Sequence, residues 1–154
     1  MKKLFMFGLL AMIGFSSCNS KKIYEKYIDI ERITWNRFDV KTFEVEIKNV
    51  PSSYDFFVAI RHHTDVPFQY IDIRFIIYTP GGETRMLEQR IPLRDKEENL
   101  LGNGMGDLWD VVQPVRTDLL IKEPGICIVE ISSKMSRIDL PGIMQVGLLV
   151  MNNE

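Results

Sequence analysis

Three short stretches carry the side chains that could do chemistry. His62 and His63, followed by Asp65, are the chain's two histidines. Residues 95–110 read Asp-Lys-Glu-Glu-Asn-Leu-Leu-Gly-Asn-Gly-Met-Gly-Asp-Leu-Trp-Asp, with Gly102, Gly104 and Gly106 among many oxygen-bearing side chains. Cys18 and Cys127 are the two thiols. Metal ligation, phosphate or calcium binding, and nucleophilic attack are the chemistries these residue types could support.

Each has a structural reading beside it. Adjacent residues of a strand point to opposite faces, so His62 and His63 would not converge on one metal. A phosphate loop needs a strand before it, a helix after it and set glycine spacing. Here the third glycine comes one residue early and Pro114 soon follows. The glycines therefore read as positions for positive φ, with Asp107 placed to bond nearby backbone amides. Asp95, Glu97, Asn99, Asn103, Asp107 and Asp110 are hard oxygen donors that suit calcium. Leu100, however, stands where an EF-hand loop starting at Asp95 needs glycine. Calcium stays a rival reading, and no metal or cofactor is assigned. Cys127, in Ile126-Cys127-Ile128-Val129, reads as a packed thiol with no neighbouring base. Arg61 falls on the face opposite Val58 and Ile60, where pairing with an acid outranks contact with a partner. Phe68, Tyr70, Trp35 and Trp109 could stack on sugar rings, although aromatics are more often core.

The elements that would position these residues begin with the N-terminus. Met1-Lys2-Lys3, the apolar run Leu4 to Phe15, then Ser16-Ser17-Cys18 have the order of a secretory signal. The run is too short to span a bilayer of about 30 Å as a helix. Small residues before a cysteine resemble a bacterial lipobox, which would make Cys18 a diacylglycerol-modified N-terminus. The expected division is 1–17 signal, 18–23 lipidated N-terminus and tether, and 24–154 a single domain. Removing 17 residues leaves 154 − 17 = 137, with 17 basic and 21 acidic side chains. That size buries an adequate core without disulfides. The acidity argues against a general nucleic-acid binder.

Beyond residue 23 the apolar period is two. Phe43, Val45 and Ile47 alternate with glutamates. Tyr54, Phe56, Val58 and Ile60, then Ile71, Ile73, Phe75 and Ile77, continue the pattern. Turn signals at Val50-Pro51, Pro80-Gly81-Gly82, Glu123-Pro124-Gly125 and Pro141-Gly142 separate the runs. The expectation is all-β: an antiparallel β-sandwich of seven to nine strands, of which a jelly roll is one version. Residues 95–110 are expected to form a long loop with one helical turn.

These landmarks resemble the gliding motility lipoprotein GldH family of Bacteroidota. The match rests on the lipobox-like start with Tyr27 and Trp35, and on Ala59-Ile60-Arg61-His62 with Pro67-Phe68-Gln69-Tyr70. It continues through Leu101-Gly102-Asn103-Gly104-Met105-Gly106-Asp107 and Leu140-Pro141-Gly142-Ile143 with Val146-Gly147-Leu148. The resemblance implies a non-catalytic cell-envelope lipoprotein. It would be bound to the membrane through Cys18 and would act by contact with envelope proteins in a motility-associated assembly. Arg61, His62, Phe68, Tyr70, Gly102, Gly104, Gly106, Asp107 and Trp109 form the expected interaction surface. A glycan- or peptidoglycan-binding module is the alternative. Asn19-Ser20-Lys21-Lys22 after the cysteine, in place of an acidic run, resembles a lipoprotein on the periplasmic face of the outer membrane.

Overall fold

The computed structural model describes residues 20–153. The expected signal at 1–17 and Cys18 lie outside the described residues. Eight long strands make up the described part: β1 (Lys21–Asp29), β3 (Lys41–Ile47), β4 (Ser52–His63), β5 (Tyr70–Tyr78), β6 (Thr84–Pro92), β8 (Leu108–Ile121), β9 (Gly125–Ser133) and β11 (Ile143–Asn152). Three short ones, β2 (Thr34–Asn36), β7 (Asn103–Met105) and β10 (Asp139–Pro141), bring the total to eleven. The expected seven to nine corresponds to the long strands alone.

All pairings are antiparallel. One sheet runs β1-β11-β4-β8-β7 and the other β3-β9-β5-β6, with β2 and β10 forming a separate pair. Counted along the chain, the long strands read first–eighth–third–sixth in one sheet and second–seventh–fourth–fifth in the other. That is the strand order of a jelly roll.

The alternation in sequence decides what lies between the sheets. Tyr54, Phe56, Val58 and Ile60 of β4 point inward with Val146, Leu148 and Val150 of β11. They meet Phe43, Val45 and Ile47 of β3, the odd-numbered positions Ile71 to Ile77 of β5, and Cys127, Val129 and Ile131 of β9. Burying each such Phe or Ile side chain contributes about 1.5–3 kcal/mol. One end of the core is closed by the β2–β10 pair. Trp35 and Leu140, directly opposite one another, are both buried there. The indole Nε1 of Trp35 donates to the Asp39 carbonyl at 2.9 Å.

The connections divide unequally between the two ends. Segments 30–40, 64–69, 93–107 and 134–142 gather at one end, here the loop pole. Short turns 48–51, 79–83 and 122–124 occupy the other, with the start of β1 and the end of β11. This is the terminal pole.

Two expectations change. β1 begins at Lys21, so residues 21–23, read as tether, belong to the strand; Lys21 and Lys22 pair with Asn152 and Met151. A register shift between Lys22 and Tyr24 breaks the alternation that would have marked the strand's start. Residues 95–110 are not one open loop and hold no helical turn. Their second half is the β7–β8 hairpin, because Asn103, Gly104 and Met105 pair with Asp110, Trp109 and Leu108.

Candidate functional site

Arg61 lies near the loop pole on the outward face of the five-stranded sheet. The register places Asp29, Gln145, Arg61, Asp110 and Asn103 in one row across all five strands. Arg61 Nε and Nη2 donate to the two carboxylate oxygens of Asp110 at 2.7 and 2.8 Å. Its Nη1 donates to Gln145 Oε1 at 3.0 Å, and Gln145 Nε2 donates to Asp29 Oδ1 at 2.6 Å. The guanidinium also lies 5.8 Å from the ring centroid of Tyr27. The planar fork matches a carboxylate, which fixes orientation as well as attraction. The acid expected for Arg61 is thus Asp110, 49 residues downstream.

Asp110 belongs to β8, so this ion pair ties the glycine-rich hairpin to the middle of the sheet. At Gly102, φ is +90°, and an added Cβ would lie 2.1 Å from the Asp110 carbonyl oxygen. At Gly104 an added Cβ would lie 2.3 Å from Cε2 of Trp109. Gly106 sits in the open tip turn. The hairpin is held to the β4–β5 connection by Thr64 N–H donating to the Asp107 carbonyl at 2.9 Å. The backbone of Asp107, rather than its side chain, makes that tie. At the tip, Met105 is 86% exposed.

His62 faces the other way and is wholly buried, so it is not part of an exposed surface. It occupies an inward position of β4 in register with Trp109 and Ile143. Its Nδ1 lies 2.9 Å from the His63 carbonyl, while Nε2 has no hydrogen-bond partner. Burial, more than any neighbour, holds its imidazole below the usual range. His63 points outward toward Asp65.

The aromatics do not form an exposed row. Trp35 is buried in the core, and Phe68 packs partly against it. The Arg90 guanidinium lies 3.7 Å from the Tyr70 ring centroid. Trp109 is half-buried over Gly104. Of the expected surface, the hairpin glycines, Asp107, Arg61 and Phe68 lie at the loop pole, with Tyr70 beside it at the start of β5 on the other sheet.

The calcium rival also meets structure. Asp95 Oδ1 accepts from the amides of Glu97 and Asn99 at 2.9 and 2.8 Å, and Oδ2 accepts from Asn99 Nδ2 at 3.0 Å. These bonds hold its carboxyl below the ordinary range, the Asn99 side chain first. They spend the carboxylate on closing a turn. Among the described residues no group of three or more His, Cys, Asp or Glu side chains is placed to hold a metal ion.

The family model described as GldH lipoprotein matches residues 22–150, from the second residue of β1 to the eighth of β11. The chain belongs to the GldH lipoprotein family. It is similar to the gliding motility lipoprotein GldH of Flavobacterium johnsoniae, with 28% identity over 114 residues covering 74% of this chain and 71% of that one. A gliding motility lipoprotein GldH homolog of Christiangramia forsetii is 24% identical over 149 residues, covering 92% and 91%. Among solved structures, the VP2 subviral particle of infectious bursal disease virus aligns at a TM-score of 0.33 and 15% identity, over 97% of this chain and 37% of that one. Membership makes this GldH-family protein a lipid-anchored protein of the cell envelope.

Sequence reasoning missed Gln145 as part of the Arg61 row and Tyr27 as the ring beside its guanidinium. Their signal was weak, because both lie on strands whose partners are far away in the chain. It also passed over the outward faces of β5 and β9. There Ile76-Ile77 and Ile126 to Val129 are apolar at consecutive positions, which makes both faces of a strand apolar.

Proposed function

We propose that this GldH-family protein is a non-catalytic envelope component, held by an acylated Cys18, that acts through protein–protein contacts in a motility-associated assembly. The observation that carries the reading is the family match beginning at Lys22, only four residues after the lipobox-like cysteine. Strand β1 starts at Lys21. Three residues reach at most about 10 Å, so the anchor draws the terminal pole against the bilayer. At about 3.3 Å per residue, the 12 residues of β4 carry the loop pole roughly 40 Å away. The hairpin, Arg61 and Asp107 then face the envelope space. Confinement to a membrane surface raises effective concentration, so modest contacts suffice. The basic Lys21-Lys22 after the cysteine favours the periplasmic face of the outer membrane.

Clickable fatty-acid labelling tests the anchor. The full chain should take up label and Cys18→Ala should not; label on Cys18→Ala would sink the assignment. A photocrosslinker in place of Met105 should capture an envelope protein in the native bacterium. Recovery of the monomer alone would count against contact at the loop pole. Protease shaving of intact cells should leave the domain whole.

A further inference from the structure

The outward face of the four-stranded sheet carries an apolar strip toward the terminal pole. Ile126 and Ile128 are successive outward residues of β9. Ile128 is in register with Tyr78 of β5, and Ile76 is in register with Met86 of β6. Met86 is 60%, Ile126 51% and Ile128 36% exposed. A sheet face turned to water ordinarily presents polar residues. Apolar side chains turned outward on three adjacent strands, Ile126 and Ile128 on β9, Ile76 on β5 and Met86 on β6, are the kind of surface that takes a partner.

The charged residues in register with this strip are all acids. Glu46 is opposite Ile126, Glu44 opposite Ile128, and Glu130 opposite Ile76. Among the described residues only Glu46 of the three is ion-paired, with Lys48 at 3.0 Å, while Glu130 accepts from the Tyr78 hydroxyl at 3.2 Å. On the next rung Arg74 already faces Glu88, which Lys134 also holds.

We propose that this strip is the docking surface for a basic, apolar-faced segment of a second envelope protein. Three occupants are conceivable, and charge separates them. Anionic lipid headgroups would be repelled by the acids. A second copy anchored in the same membrane would be related by an axis along the strands. It would bring both sets of carboxylates into one interface, with Lys48 already committed to Glu46 in each copy. That argument rests on the proposed Cys18 anchor; the chemistry of the strip does not. A partner segment with aliphatic side chains for the strip and lysine or arginine for the acids satisfies both features.

The test is site-specific photocrosslinking in the native bacterium, with a benzophenone amino acid replacing Ile128 in the full-length protein. The expected result is one light-dependent adduct with a different envelope protein, mapped by mass spectrometry to a segment holding both apolar and basic residues. Glu44→Lys with Glu46→Lys should lower the yield about tenfold, and Ile126→Asp, an independent change, should do the same. A benzophenone at Val112, on the opposite outward face, should not give that adduct. An adduct with a second copy, an adduct with lipid alone, no adduct, or a yield untouched by both variants would overturn the proposal. Fatty-acid labelling of the same cells reads the anchor separately. Labelled protein without the adduct sinks the docking surface alone, and unlabelled protein with it sinks the anchor alone.

Discussion

Trp109 fills the volume that a side chain at Gly104 would need. The two residues face each other across the β7–β8 hairpin, and a β-carbon at 104 would sit 2.3 Å from the indole Cε2. The absence of a side chain at one position thus sets where the largest side chain of the hairpin rests.

Gly104→Ala should therefore displace the indole or part β7 from β8. Overpacking of this kind costs roughly 1–3 kcal/mol. The melting temperature should fall by several degrees and the tryptophan emission should shift to the red. Gly106→Asn, in the open tip turn where φ is +60°, should leave both readings nearly unchanged.

The Arg61–Asp110 pair is partly exposed, so its contribution to stability is modest. Coupling in a double-mutant cycle of Arg61→Ala and Asp110→Ala should be about 0.5–1 kcal/mol, and smaller in high salt. Arg61→Lys should recover little of it, because an ammonium cannot form the paired bonds. Urea unfolding of the four proteins measures this.

His62 predicts a pH dependence. In the fold its imidazole is held neutral below the ordinary value of about 6.5, whereas the unfolded chain protonates there. The unfolded state then binds more protons, so stability falls as pH drops below that value. Melting temperatures between pH 7.5 and 5.5 should decline for the wild type and stay flatter for His62→Leu. The carboxyls held low, Asp72 chiefly by Arg90 and Asp95 chiefly by Asn99, favour folding above their ordinary range. Their contribution is lost only at more acid pH, below about 4.

Cys127 is buried in β9, and burial pushes its thiol up to about 12. A thiol reagent at pH 8 should leave it unmodified in the native protein and label it on denaturation. Rapid native labelling would show that the β9 core opens.

Much of the fold was legible because its inner faces alternate. The runs from Tyr54 to Ile60 and from Ile71 to Ile77 state both strand and facing. What was not legible depends on partners distant in the chain. Nothing local to Arg61 names Asp110 or Gln145. Nothing local to Asn103-Gly104-Met105 shows that it pairs with residues just after a turn instead of looping free. His62 looked like surface because histidine is polar, yet its place on the Val58–Ile60 side of β4 was already set by the parity of the strand. The Ile126–Ile128 strip escaped because an apolar run reads as buried on both sides, and only the sheet order shows that one side has no cover.

The pairing of β1 with β11 joins the first strand of the domain to its last. Lys21 to Asp29 has no neighbour in the sheet until Gln145 to Asn152 exists. During synthesis and export, then, nearly the whole domain must be delivered before that edge can seat. A chain cut short before Ile143 would leave β1 and β4 without the strand that joins them. Closure is thus a late, non-local step, and folding of this kind is slow. The sheet cannot be completed in instalments: its first strand stays without a hydrogen-bonded neighbour until the ten-residue β11 arrives.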